Sequence, residues 1–168
     1  MNDQISILVL YYSKTGNTFQ LAEAIAQGVE SVGTVQALLR STDEVTEDDF
    51  LESHGIIAGS PVYFGTMAAE LKRVFERFVG LRKRMENKVG AAFVTSGNDT
   101  GGKETTMMSI ISALLIYGMV IVGDPMTATG HYGTACAGAP SEKTLENGAK
   151  LGKRVAELAA LLSGARGM

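Results

Sequence analysis

The sequence has 168 residues, of which 45% are apolar and 20% are charged, and its net charge at pH 7 is −3. This composition is ordinary for a soluble globular protein, and we expect residues 1–168 to form a single domain without a nucleic-acid partner, because nucleic acid would require a basic face. The sequence has one cysteine and no apolar run of membrane-spanning length, and an apolar strand almost at the N-terminus leaves no room for a signal peptide. These features favour a cytoplasmic protein with no membrane contact.

The first predicted elements are an apolar strand over Ile5–Tyr11 and an amphipathic helix over Phe19–Val29, whose apolar stripe includes Leu21, Ile25 and Val29. A turn rich in hydroxyl groups joins them. Its backbone amides and the helix dipole favour a bound anion, so the pattern predicts a phosphate site. The alternative is an ordinary helix cap, in which Thr15 or Asn17 satisfies the first amides. The predicted phosphate-binding residues are Ser13, Lys14, Thr15, Gly16, Asn17 and Thr18.

The middle of the chain predicts two more strands and a helix. Val35–Leu39 is a short strand near a sheet edge, and Ile56–Ser60 is the third strand. The acidic stretch Asp43–Asp49 between them is a solvated loop or a short helix. Apolar residues at helical spacing then predict a helix over 67–78, and they are Met67, Leu71, Val74, Phe75 and Phe78.

The C-terminal half continues the alternation of strand and helix. Strands are predicted over Val89–Ser96 and Met119–Val122, and helices over Thr105–Tyr117 and Leu145–Leu162. The irregular segment Asp124–Ser141 is long enough to form a functional flap over a ligand, although a disordered surface loop is the alternative. The residues of the Thr105–Tyr117 helix that we expect to face the core are Met108, Ile111, Leu115 and Ile116.

Five strands that alternate with helices predict an α/β fold with a parallel sheet and right-handed crossovers. In such sheets, ligands bind beyond the carboxyl ends of the strands. The glycine-containing segments after the first, third and fourth strands should therefore meet at one edge of the sheet.

Other kinds of site receive less support. Residues 97–103 match the phosphate-binding pattern G-x-x-x-x-G-K, but Glu104 stands where magnesium binding needs serine or threonine. No group of residues has the spacing of a metal site or of a Ser-His-Asp triad. We expect Cys136 to be a passive small residue, His131 to be a solvated loop residue, and His54 to have no functional role.

Three motifs resemble those of flavodoxin-like proteins. Residues 13–18, Ser-Lys-Thr-Gly-Asn-Thr, resemble the flavodoxin loop that holds the 5′-phosphate of flavin mononucleotide (FMN). Residues 59–67, Gly-Ser-Pro-Val-Tyr-Phe-Gly-Thr-Met, and residues 95–106 resemble the two flavin segments of WrbA-type NAD(P)H:quinone oxidoreductases, and Tyr132-Gly133 matches a Tyr-Gly pair of that family. The resemblance implies a three-layer flavodoxin-like fold with strand order 2-1-3-4-5 and FMN as the cofactor.

The same resemblance implies which residues contact the flavin ring. Tyr63 and Phe64 would flank it, although a surface aromatic and a core residue are the respective alternatives. The family tends to have histidine at the position of Thr100, so the role of that histidine in quinone protonation is not carried over to this chain. The ring-binding residues implied are Pro61, Val62, Tyr63, Phe64, Gly65, Thr66, Thr95, Ser96, Gly97, Asn98, Thr100, Gly101, Gly102 and Tyr132, of which Tyr63 and Tyr132 could also contact substrate.

Two functions are compatible with this resemblance. The first is an enzyme that passes electrons from NAD(P)H through FMN to a quinone or a similar acceptor. The second is a flavodoxin-type electron carrier, which would dock through a dense acidic face. Since acidic residues outnumber basic ones by only three and basic residues cluster over 72–84, the enzyme is favoured. The family also implies a homo-oligomer, either a dimer or a tetramer.

Overall fold

A parallel sheet forms the middle layer of the computed structural model, which describes residues 4–166. Its strands are β1 (Ile5–Tyr11), β2 (Val35–Ser41), β3 (Gly55–Tyr63), β4 (Thr66–Met67), β5 (Val89–Ser96), β6 (Val120–Ile121) and β7 (Thr134–Ala137). The α-helices are α1 (Asn17–Glu30), α2 (Glu47–Glu52), α3 (Ala69–Arg77), α4 (Arg82–Met85), α5 (Lys103–Ile116) and α6 (Glu142–Arg166).

The parallel strands lie in the order β2-β1-β3-β5, and β6 and β7 share the outermost position beside β5. The short strand β4 runs antiparallel to β3 and forms a hairpin with it. The predicted α/β fold and strand order 2-1-3-4-5 are therefore confirmed, once β4 is left out of the numbering and β6 and β7 are counted as one strand. As predicted, β2 lies at an edge of the sheet.

Helices cover both faces of the sheet and give the three layers that the resemblance implied. On one face, α1 and α6 pack against β1, β3 and β5, and the predicted α1 stripe of Leu21, Ile25 and Val29 is fully buried. On the other face, residues of α2, α3 and α5 pack around Phe50 and Leu71. Within residues 4–166, no helix is both long and apolar enough to cross a bilayer.

Helix α5 turns a different face to the core than the sequence predicted. Of the four residues expected to face inward, only Ile111 is buried, whereas Met108, Leu115 and Ile116 are 44%, 56% and 60% exposed. The expected orientation was wrong because the helix is apolar on almost every side, so that spacing alone does not identify its inner face. The buried residues of α5 are Thr106, Met107, Ile110, Ile111 and Leu114.

The outermost strand is interrupted. β6 pairs with Val89 and Gly90, the chain then leaves the sheet, and β7 returns to pair with residues 93–96 of β5. The interpretation of residues 124–141 as wholly irregular was therefore wrong, because Thr134–Ala137 completes the fifth strand. The pairing depends on the register with β5, which the short sequence Thr-Ala-Cys-Ala does not reveal.

Element boundaries differ elsewhere by a few residues. The acidic stretch leads into α2, whose first turn Thr46 and Asp49 cap reciprocally. Helix α3 begins at Ala69, two residues after the predicted start, because Met67 belongs to the hairpin. The final helix is longer than Leu145–Leu162 at both ends.

Tyr117 provides a test of the packing between α3 and α5. Its hydroxyl donates a hydrogen bond of 2.6 Å to the carbonyl oxygen of Phe75, and burial raises the pKa of Tyr117 to about 12. Tyr117→Phe leaves that carbonyl without its donor and should lower the free energy of unfolding by about 1–2 kcal/mol. Urea denaturation of the two proteins measures this difference.

The stabilisation that the Tyr117–Phe75 hydrogen bond provides should depend on pH. Because the folded-state pKa of Tyr117 lies above the ordinary value of 10.0, folding favours the neutral phenol. Its contribution is complete below pH 10 and is lost as the pH rises toward about 12. The difference between wild type and Tyr117→Phe should shrink over this range, and a difference that grew would contradict the assignment.

Candidate functional site

The structure brings the three predicted segments together beyond the carboxyl ends of β1, β3 and β5. The Thr18 and Thr95 hydroxyls lie 2.8 Å apart and link the first segment to the third. The second and third segments meet at Gly65 and Gly102, where a Cβ on Gly102 would lie only 3.1 Å from the Cα of Gly65. These contacts create one continuous site from segments that are distant from one another in the chain.

The first segment forms a turn that leaves amides free at the start of α1. Gly16 has a φ of 95°, and the Oγ of Ser13 accepts hydrogen bonds from the amides of Gly16 and Phe19, each at 3.2 Å. Gly16, the N-cap residue, has no side chain to cap the helix, and although Ser13 satisfies the amide of Phe19, the amides of Asn17 and Thr18 have no acceptor within residues 4–166. The capping alternative, in which Thr15 or Asn17 satisfies these amides, is therefore wrong.

The remaining side chains of this segment have different surroundings. Lys14 and Thr15 are exposed, whereas Thr18 is buried and directs its hydroxyl toward Thr95. Together with the helix dipole, the free amides provide a partial positive charge. This end of α1 can therefore hold an anion such as a phosphate.

The second segment is the tight hairpin between β3 and β4. Its two turn residues, Phe64 and Gly65, both have positive φ, at 52° and 74°, as a two-residue hairpin of the primed type requires. The Phe64 side chain is completely exposed, so the alternative that it is a core residue is wrong. Positive φ is rare for a bulky residue and is found most often at functional sites.

Hydrogen bonds hold this hairpin in place. The Oγ of Ser60 donates to the carbonyl of Pro61 at 2.7 Å and accepts from the amide of Ala68 at 2.8 Å. The amide of Met67 donates to the Oγ of Ser109 in α5 at 3.1 Å. Neither serine was among the predicted site residues, since the role of each depends on contacts between elements.

The third segment runs from the end of β5 into α5. The Oγ of Ser96 donates to the carbonyl of Asn98 at 2.7 Å, and the amide of Gly101 donates to the same carbonyl at 3.1 Å. These bonds shape a loop in which Gly97, Asn98 and Thr100 are exposed. Gly102, with a φ of 97°, then begins the helix without a side-chain cap.

Aromatic side chains lie at the rim of the site. Tyr63, which is 36% exposed, lies edge-on to Tyr12 with ring centroids 6.4 Å apart. Burial, followed by the nearby carboxylate of Glu70, raises the pKa of Tyr12. Tyr12 was not among the predicted site residues, although its position directly before Ser13 was an available signal.

The interruption of the outer strand contributes Tyr132, which is 53% exposed. Asp124 closes this loop by accepting a 2.8 Å hydrogen bond from the amide of Gly130, and Arg154 donates to the carbonyls of Gly123 and Asp124. A cavity of about 250 Å³ lies beneath the loop, between Tyr132 and the start of α5. Closure of the loop over a ligand stays a prediction.

The remaining residues with potentially reactive side chains are Cys136, His54 and His131. Burial raises the pKa of the Cys136 thiol, although the ammonium group of Lys103 acts in the opposite direction. His54 accepts a hydrogen bond from the amide of Ser6 through its Nδ1, and His131 is exposed. Across residues 4–166, no three histidine, cysteine or carboxylate side chains are grouped closely enough to hold a metal ion.

The arrangement fits a ligand that combines a phosphate with a flat aromatic ring. Free amides and hydroxyls at α1 suit the phosphate, and the two glycine-containing loops with the exposed aromatic rings of Phe64 and Tyr132 suit a planar group. Chemistry supplied by a bound cofactor would also account for a site without a nucleophilic triad.

Comparison with known proteins agrees with this geometry. Residues 5–134 match the family described as NADPH-dependent FMN reductase. A protein named flavodoxin from Aquifex aeolicus is 36% identical over 161 residues, which cover 92% of this chain and 87% of that protein. A protein named NAD(P)H dehydrogenase (quinone) from Archaeoglobus fulgidus is 35% identical over a gapped alignment of 184 positions, which covers 91% of this chain and 96% of that protein.

A solved structure extends the likeness to three dimensions. The flavodoxin, WrbA-like protein from Agrobacterium tumefaciens superposes with a TM-score of 0.81 at 25% identity, and the match covers 94% of this chain and 98% of that chain. The family match and these relatives support the predicted oxidoreductase class and FMN as the cofactor. The chain belongs to the NADPH-dependent FMN reductase family, whose members have a flavodoxin-like fold and use FMN.

Proposed function

We propose that this protein is an FMN-dependent oxidoreductase that passes electrons from NAD(P)H to a quinone or a similar small acceptor. The observation that carries the proposal is that three loops meet at one sheet edge. One loop has free amides at the start of α1, and the other two approach each other closely at Gly65 and Gly102. The relative named NAD(P)H dehydrogenase (quinone) supports the choice of donor and acceptor.

The residues of the first loop would hold the FMN phosphate. The amides of Asn17 and Thr18 point from the start of α1, and the exposed hydroxyl of Thr15 lies beside them in the chain. Ser13 and Thr18 support the loop through their hydrogen bonds to its amides and to Thr95. This assignment needs no arginine, because amides and the helix dipole supply the positive charge.

The other two loops would hold the flavin ring. Residues 61–66 would form one wall, and residues 95–102, of which 97–100 are exposed, would form the other. Phe64 and Tyr132 present exposed aromatic rings on which a flat donor or acceptor can stack. The residues of this chain thus bind and orient, whereas bound FMN supplies the redox chemistry by taking up and releasing two electrons.

The overall reaction balances without a further reactant. NAD(P)H gives up a hydride and becomes NAD(P)⁺, and the quinone takes two electrons and two protons and becomes the hydroquinone. One of these protons originates from the nicotinamide and the other from solvent. Because solvent can supply the second proton, the reaction does not require an acidic side chain.

An electron carrier is the second candidate, because the Aquifex aeolicus relative is named flavodoxin. A carrier would be expected to surround its cofactor with acidic residues that steer a basic partner. Near this site, the carboxylates of Glu70, Asp99 and Glu104 are accompanied by the ammonium groups of Lys14 and Lys103, so the charges there are mixed and not densely acidic. This distribution favours the enzyme.

Anaerobic mixing of the FMN-loaded protein with NADPH or NADH distinguishes the two functions. The enzyme should lose its oxidised flavin absorbance within seconds with at least one donor, and added benzoquinone should restore it. A protein that keeps its absorbance with both donors, yet is reduced by dithionite, would be a carrier. That result would contradict the proposal.

Thr15→Ala tests the phosphate assignment. Loss of one hydroxyl that bonds to a phosphate should weaken FMN binding about tenfold, which corresponds to about 1.4 kcal/mol. Quenching of flavin fluorescence measures the affinity. Riboflavin, which has the same ring and no phosphate, is the control, and its affinity should stay the same. Equal losses for both ligands would place Thr15 elsewhere in the site.

A further inference from the structure

A pair of buried threonines links the first loop of the site to the third. Thr18 and Thr95 are 2% and 4% exposed, and their hydroxyl oxygens lie 2.8 Å apart. Thr18 lies on the inner face of α1 together with Leu21 and Ala22, which follow it by three and four residues and are also buried. The hydrogen bond therefore joins the first turn of α1 to the end of β5.

The Thr95 side chain lies on the face of the sheet that α1 and α6 cover. Side chains alternate between the two faces along β5, and Phe93, two residues before Thr95, packs among residues of α1. Val94 packs on the opposite face. The resemblance implied that Thr95 binds the flavin ring. Because its hydroxyl contacts α1, a role at the phosphate end of the site is favoured instead.

The threonine pair contains one donor more than it uses. Each hydroxyl carries one proton, and the single hydrogen bond between the two oxygens takes only one of the two protons. The other proton has no acceptor within residues 4–166. The amides of Asn17 and Thr18, in the same turn of α1, also lack an acceptor. Buried donors without an acceptor are unfavourable, and a phosphate dianion, which only accepts hydrogen bonds, would satisfy them.

We propose that Thr95 is a positioning residue for the FMN phosphate and that it acts through Thr18. Thr95 donates its proton to the Oγ1 of Thr18, and the proton of Thr18 is then directed to a phosphate oxygen. Hydrogen bonds in such a chain strengthen one another, and a bond to an anion is stronger than a bond between neutral groups. The inference rests on the proposed function and adds to its phosphate site a side chain that does not itself contact FMN.

Thr95→Val removes the hydroxyl and keeps nearly the same shape. Loss of the bond to Thr18 should weaken FMN binding about fivefold and leave riboflavin binding unchanged, because riboflavin has the ring but no phosphate. Thr95→Ser keeps the hydroxyl and should bind FMN within about twofold of wild type. Quenching of flavin fluorescence measures each affinity. The absorbance spectrum of the bound flavin, which reports the surroundings of the ring, should be the same in both variants.

A double-mutant cycle tests whether Thr95 acts through Thr18. Thr18→Val should itself weaken FMN binding. Adding Thr95→Val to this variant should change the affinity no further, because the residue through which Thr95 acts is already lost. Additive losses would show that the two hydroxyls act separately, and the inference would be wrong.

Thr134→Val is the matched control. Thr134 is buried on the neighbouring strand β7, beside Phe93, and its hydroxyl has no hydrogen-bond partner within residues 4–166. Its replacement should leave the affinities for FMN and riboflavin within about twofold of wild type. Circular dichroism verifies the fold of every variant, and Thr95→Ala takes the place of Thr95→Val if the latter does not fold.

The remaining outcomes contradict the inference in different ways. Equal losses for FMN and riboflavin in Thr95→Val would assign the side chain to the flavin ring or to general support of the fold. An unchanged FMN affinity, or a wild type that binds both flavins equally well, would show that the bond does not serve a phosphate. If neither NADPH nor NADH reduces the bound flavin, the proposed oxidoreductase function fails, whereas the affinities still decide the role of Thr95.

Discussion

Replacing Gly152 by alanine is expected to lower the free energy of unfolding by about 3 kcal/mol. Gly152 lies where α6 crosses α1, and a Cβ at this position would be 2.0 Å from the carbonyl oxygen of Ile25 and 3.1 Å from the amide nitrogen of Val29. Because both neighbours are helix backbone, neither can move away without shifting the whole helix. The two helices would have to separate and open the core between them.

The same helix contains a matched control. Gly164 lies at the exposed end of α6, where a Cβ would meet nothing within 4 Å outside its own helix. Gly164→Ala should therefore stabilise the protein by about 0.5 kcal/mol, since alanine is the better helix former. Urea denaturation of both variants measures the contrast. If Gly152→Ala is as stable as Gly164→Ala, the close crossing of α1 and α6 is incorrect.

Replacing Gly102 by alanine is expected to weaken FMN binding about a hundredfold, which corresponds to about 2.7 kcal/mol. Gly102 has a φ of 97°, a conformation that costs an alanine about 1–2 kcal/mol. Its new Cβ would also lie 3.0 Å from the Oγ1 of Thr105 and 3.1 Å from the Cα of Gly65. The loops that would hold the two sides of the flavin ring must then move apart.

Gly80→Ala is the control for this prediction. Gly80 lies between α3 and α4, outside the proposed site, its Cβ would meet nothing within 4 Å, and its φ is not in the left-handed region. Its affinity for FMN should stay within about threefold of wild type, a difference under about 0.7 kcal/mol. Fluorescence titration measures both variants, and circular dichroism confirms that they are folded. Equal losses would show that contact between Gly65 and Gly102 does not shape the FMN site.

Local patterns in the sequence determined the order of strands and helices and the position of the first loop. The apolar run at 5–11, followed by a hydroxyl-rich turn and the stripe of Leu21, Ile25 and Val29, predicts β1 and α1 almost to the residue. Such elements are readable because a buried parallel strand and an amphipathic helix each impose their own spacing on nearby residues. The placement of three loops at one sheet edge follows from the same alternation and from the geometry of parallel crossovers.

Only the tertiary structure decided which face of α5 is buried, how the outer strand is divided, and how Phe64 is presented. Each of these depends on a neighbour distant in the chain or on strand pairing: the sheet face beneath α5, the register of β5 beside Thr134–Ala137, and the hairpin partner strand β4. An apolar helix has no stripe that selects its inner face, and a strand of four residues is stabilised mainly by the strand it joins. Where local preference is weak, contacts between separate segments determine the structure.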